Sequence, residues 1–161
     1  NYGFGFSFGY KDFDISAYFQ GEGRSSFVIN AEQISPFLKP ASGQERGLLK
    51  AVANNYWSEE NPNIYAFYPR LSYDYLSNNY QTSTWWLRDG SFLKLKTVEI
   101  GYEPKGPWLK KKTGLSGFRI YVSGLNLLTF SKFKIWDPEM KSSGMGYPLQ
   151  RVFNLGVQVT I

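Results

Sequence analysis

The sequence predicts an all-β protein whose strands cross a membrane as the wall of an antiparallel barrel. Three observations predict it. The final segment sets Phe153, Leu155, Val157, Val159 and Ile161 against Asn154, Gly156, Gln158 and Thr160, a two-residue period that gives a strand one apolar and one polar face. The opening segment sets Tyr2, Phe4, Phe6, Phe8 and Tyr10 against Gly3, Gly5, Ser7 and Gly9. An aromatic face backed by glycine suits a wall with lipid on one side and a crowded lumen on the other. Between Gly21 and Thr84 the alternation stops, and so long a connection fits the outer loops of a membrane barrel better than a compact soluble domain.

The first strand covers Tyr2 to Phe8. A tight polar turn, Gly9 to Asp12, leads into a second strand in which Phe13, Ile15, Ala17 and Phe19 oppose Asp12, Asp14, Ser16, Tyr18 and Gln20, a hairpin by its spacing. Within the long connection, Glu45 to Tyr56 reads as a short helix weakened by Gly47. The third strand covers Trp85 to Tyr102. Its apolar positions are Leu93 and Leu95, then Val98, Ile100 and Tyr102, and the phase slip at Lys96-Thr97 reads as a β-bulge. After a connection with Pro104, Gly106, Pro107 and Lys110–Lys112, a fourth strand runs from Phe118 to Leu128; a second loop, Thr129 to Gln150, precedes the fifth. The expected strands are thus residues 1–9, 12–21, 85–102, 117–128 and 150–161, all neighbours antiparallel.

Composition agrees. The 161 residues suffice for one domain, and a mean hydropathy of −0.36 is expected of a wall in which only alternate residues are apolar. No apolar run is long enough for a transmembrane helix. Aromatic residues make up 19% of the chain, a content that suits membrane girdles, ligand grooves and β cores alike. The absence of Cys and His removes disulfides, thiol or histidine catalysis and the usual zinc and haem sites. The net charge of +5 forms no basic stripe interleaved with stacking rings, which argues against nucleic acid. The chain opens at Asn1 inside a strand, without Met or a signal peptide, which reads as a cut, a processed end or an imposed boundary. Alternation up to Ile161 reads as a natural end.

Strand parity orients the wall. With the C-terminus in the periplasm, strands five, three and one descend while four and two ascend. The turn at 9–12 is then periplasmic and the stretch 21–84 extracellular, matching the short and long sides of such barrels.

Several linked motifs carry a family likeness. They are Trp57-Ser-Glu-Glu-Asn-Pro62, Tyr68-Pro-Arg-Leu71, the run Ser83 to Tyr102, Arg119 to Leu128, and Asp137-Pro-Glu139. In order and approximate spacing, from about residue 54 onward, they resemble the C-terminal barrel of SusC/RagA-type TonB-dependent transporters. Residues 1–20 fit by pattern only. Two departures are Trp85-Trp86-Leu87, where the family often has Phe-Trp-Leu, and Ile161, where a terminal Phe is common. The resemblance implies a plugged barrel of about 22 strands, of which this chain would supply about five. It also implies a SusD-like surface lipoprotein as a lid, TonB acting on an amino-terminal part outside this chain, and no cofactor.

The site residues follow. Phe13, Ile15, Phe19, Phe153, Leu155, Val157 and Val159 are expected to face lipid, and Asp14, Ser16, Asn154 and Gln158 the lumen. Trp85 and Trp86 enter a strand from the long loop and are expected in an outer aromatic girdle, one on each face. In the loop, Trp57, Tyr65, Tyr68 and Tyr73 are the candidates for cargo or lid contact, within a larger cluster with Tyr56, Phe67, Tyr75 and Tyr80; such rings stack on sugars and peptides, and they also pack a loop into an ordered cap. Asp12 and Asp14 share a strand face, and Asp137-Pro138-Glu139 reads as a turn. No base, oxyanion donors or metal cluster accompanies these carboxylates, so neither a catalytic nor a metal site is expected. The expected function is outer-membrane import of a glycan or, less favoured, a peptide; the alternatives are an all-β surface binding module and a passive porin.

Overall fold

The computed structural model describes residues 1–37 and 47–161. Five long strands form one antiparallel sheet in the order β1 (Tyr2–Tyr10), β2 (Phe13–Glu22), β5 (Phe92–Tyr102), β6 (Gly117–Ser131) and β7 (Val152–Thr160). Two short strands, β3 (Ser26–Val28) and β4 (Leu87–Asp89), pair separately. Among the described residues no helix is long and apolar enough to cross a membrane.

Directly opposed residues of antiparallel strands share a face, so the register sorts the side chains. One row runs Phe8, Ile15, Ile100, Val122, Leu155, and the next Tyr10, Phe13, Tyr102, Ile120, Val157. The opposite face carries Asp14, Ser16, Glu99, Arg119, Ser123, Asn154 and Gln158. The pairing shifts between Tyr18 and Phe19 on β2 and between Leu95 and Thr97 on β5. Lys96 is therefore the extra residue of the expected bulge, and it keeps the apolar residues on one face on either side of it.

Among the described residues the apolar face has no second layer. Phe8 is 62% exposed, Phe153 71% and Leu155 71%, and among the described residues none of the buried hydrophobic side chains comes from β1, β2, β6 or β7. A stand-alone soluble sandwich would bury this face against another sheet.

The polar face is tied across strands. Arg119 Nη2 donates to Asp14 Oδ2 at 2.9 Å and to Glu99 Oε1 at 2.8 Å, bridging β6, β5 and β2. It reaches Asp14 over Gly101, where any Cβ would lie 2.5 Å from both the guanidinium and the Asp14 carboxylate. Gly3 and Gly5 of β1 have the same cause: Tyr18 lies over both. Asp12 does not join Asp14, because it sits in the turn, where its carboxylate accepts from Lys105 N.

The hydrophobic core sits at one end of the sheet, in the long connections. Phe27, Ile29, Ala31, Ile34, Val52, Phe67, Tyr68 and Trp86 from the first connection pack with Phe133 from the second. The helices among the described residues of the first connection are single turns: α1 (Ala31–Ile34), α2 (Lys50–Ala53) and α3 (Ser77–Tyr80). Of the helix expected over 45–56, only α2 forms, and residues 45 and 46 lie outside those described. The strand expected over 85–102 is broken. Thr84–Trp86 form a 3-10 turn, β4 pairs with β3, and the wall strand begins only at Phe92. The opposite end carries the 11–12 turn and a connection with α4 (Trp108–Thr113), on which Lys111 and Lys112 are exposed.

Candidate functional site

The two long connections meet as a cap, and the loop tyrosines and tryptophans divide between its interior and its surface. Tyr68 is 2% exposed. Its hydroxyl donates to Ser35 Oγ at 3.4 Å, and Ser35 Oγ is also 2.7 Å from the Tyr80 hydroxyl. Burial pushes the Tyr68 phenol up to about 12, with the Ser35 bond opposing the shift. Its ring meets Trp86 at 5.6 Å and 65°. Tyr68 is therefore a packing residue, and the sequence-based reading of it as a ligand contact is corrected.

Trp86 is corrected as well. It is 1% exposed, and its indole donates to Asn79 O at 3.0 Å. A girdle side chain must reach the membrane interface, whereas this one fills the cap. Because Trp85 and Trp86 lie in a 3-10 turn, strand alternation does not govern them. Trp85 is partly buried against the same core, and its Nε1 has no hydrogen-bond partner.

The remaining candidates reach the surface. Tyr65 is 86% exposed and lines a cleft of about 530 Å³ with Ile64, Trp85, Arg88 and Lys134. Trp57 lines a second cleft of about 390 Å³, which shares Ile64 and Trp85 with the first. Tyr73 is 82% exposed and stacks on Phe37 at 4.6 Å; it lines neither cleft. The cap thus brings Trp57 and Tyr65 to adjacent clefts and leaves Tyr73 apart.

Sequence reasoning missed the cations of the first cleft. Arg88 donates to Trp85 O at 2.6 Å and Leu87 O at 2.8 Å and lies 5.7 Å from the Phe67 ring centre; burial lowers its pKa. Asp89, the acidic residue of that lining, pairs with Lys132 at 3.5 Å.

It also missed a buried ion cluster. Lys94, on the polar face of β5, is fully buried, and its Nζ lies 2.6 Å from both Asp137 Oδ2 and Glu139 Oε2. Lys96 joins Glu139 at 2.7 Å. Asp137 also caps the following 3-10 turn by accepting from Glu139 N. Asp137-Pro138-Glu139 is thus a turn, as read, and also a clamp that holds the second connection over the polar side of the wall. Lys141 extends that hold to Glu22 at 3.1 Å.

No family model matches the chain. It is 30% identical to TonB-dependent receptor P3 of Formosa agariphila over 98% of its length, and 30% identical to receptor P26 of the same organism over 99%. It is 28% identical to TonB-dependent receptor SusC of Bacteroides thetaiotaomicron over 66%. It spans 16% of the length of each of the first two relatives. The RagAB peptide importer in its open-open state shares the fold, with a TM-score of 0.67 at 23% identity over 99% of this chain and 17% of that one. Relatedness along essentially the whole chain agrees with the one-layer antiparallel wall: the chain belongs to the TonB-dependent receptors of the SusC/RagA type.

Proposed function

We propose that these residues are wall strands and outer loops of an outer-membrane barrel that imports a nutrient oligomer, glycan or peptide, under TonB control and with a SusD-like lipoprotein as lid. The observation that carries the reading is the apolar face of β1, β2, β5, β6 and β7, exposed on β1 and β7, partly to fully exposed at its side chains on the strands between them, and backed by a polar, ion-paired face. Lipid on one side and a lumen on the other satisfy both. The free edges of β1 and β7 need further strands, since hydrocarbon offers no partner for N–H and C=O groups. On this reading the cap is extracellular, and the turn at 11–12 and α4 are periplasmic. A binding module standing alone in water would leave the apolar face uncovered.

The wall is tested in the full-length receptor by Val157→Arg. Val157 is 58% exposed, and arginine near the bilayer midplane costs about 2–4 kcal/mol, so the yield of heat-modifiable, membrane-inserted barrel should fall sharply. A normal yield would remove Val157 from the lipid face.

Import is tested by deleting Ala41 to Tyr68. This removes Val52, Phe67 and Tyr68 from the cap core but takes no residue from the five-stranded sheet. The variant should insert and fail to take up its native cargo. Unchanged uptake would take this connection out of the transport path.

A further inference from the structure

We propose that the cleft beside Tyr65 is a binding subsite for a saccharide bearing anionic groups, carboxylate or sulfate; the proposal rests on the import reading above. The cleft lies between the two connections, lined by Asn55 and residues 64–67, 84–85, 88–89 and 132–135, with a volume of about 530 Å³. That is within the range of small-ligand sites, roughly 300–1,000 Å³.

Its charge is unbalanced. The acid of the lining, Asp89, already accepts from Ser91 N and pairs with Lys132. Among the described residues no carboxylate pairs with Arg88, which is held by backbone carbonyls, nor with Lys134. Two cations therefore face a common space with no counter-ion of their own. Cations left unmatched in a concave, partly apolar site favour an anion there.

The rest of the lining suits a sugar ring. Tyr65 offers a flat face that is 86% exposed, Ile64 beside it is 66% exposed, and the Asn55 amide and Thr84 hydroxyl supply neutral polar groups. Trp85 adds an indole N–H that is buried without an acceptor. A buried donor without an acceptor is unfavourable, and a ligand oxygen within its reach would satisfy it.

The full-length receptor tests this by calorimetry at low salt with four probes of matched length: an oligogalacturonate, a sulfated galactan oligomer, a neutral galactan oligomer and oligoglutamate. At least one of the two anionic saccharides should bind about tenfold or more tightly than the neutral one, and which of them does so identifies carboxylate or sulfate as the group recognised. Lys134→Glu and Tyr65→Ala, both at exposed side chains, should each weaken that binding about tenfold while leaving the barrel inserted. Equal binding of charged and neutral saccharides, no binding of either anionic one, or no response to Lys134→Glu would overturn the proposal. Oligoglutamate binding more tightly than both anionic saccharides would assign the cleft to acidic peptides instead. Failure of the import reading has a different signature, a wild-type receptor that does not insert in the outer membrane.

Discussion

Lys94→Ala is expected to destabilise the attachment of the second connection by about 3–5 kcal/mol, the usual consequence of removing one partner from a buried ion pair. Lys94 is fully buried, while Asp137 and Glu139 keep 20% and 19% side-chain exposure. Glu139 retains Lys96, so Asp137 is the group left without a cation. Amide exchange along residues 132–150 of the full-length receptor reads the loss directly, because local opening governs protection there. Adding Asp137→Asn to Lys94→Met should restore most of it, since Glu139 keeps Lys96 as its partner, no carboxylate is left without a cation, and Asn can still cap the 3-10 turn. Protection unchanged in Lys94→Ala would show that the cluster holds nothing.

The same clamp sets a pH dependence. Burial raises the Glu139 pKa, but hydrogen bonds from Lys94 and Lys96 outweigh it and leave the carboxyl below its ordinary 4.5. A carboxylate with a lowered folded pKa stabilises above its unfolded value, and that contribution is lost as pH falls through the folded one. The second connection should therefore loosen as pH falls below about 4.5.

The wall was legible in the sequence because its rule is local. Alternation in β1, β2 and β7 depends on residues two apart, and the slip at Lys96 is visible within β5 alone. The cap was not legible, because its contacts join residues with no shared period. Phe27, Phe67, Trp86 and Phe133 meet only after β3 pairs with β4 and the second connection folds inward. Nothing in the alternation of β5 singles out Lys94, and its acidic partners lie 43 and 45 positions away. The tryptophan pair misled for a related reason: a motif entering a strand was taken for part of it, although its backbone is a 3-10 turn that aims Trp86 into the cap.

That assignment makes Trp86→Ala the sharpest test of the cap. Truncating a buried tryptophan costs about 3–5 kcal/mol, through lost burial and the cavity that remains. Here the change also removes the contact with Tyr68 and orphans the Asn79 carbonyl. Trp85→Ala should cost distinctly less, because that ring is only partly buried and its N–H has no acceptor to lose. The wall contributes no side chain from β1, β2, β6 or β7 to this core, so both variants should insert. Protease applied to intact cells should then cut Trp86→Ala within residues 47–83 and spare Trp85→Ala. If the two tryptophans proved interchangeable in this assay, the unequal roles given to them by burial and hydrogen bonding would be wrong.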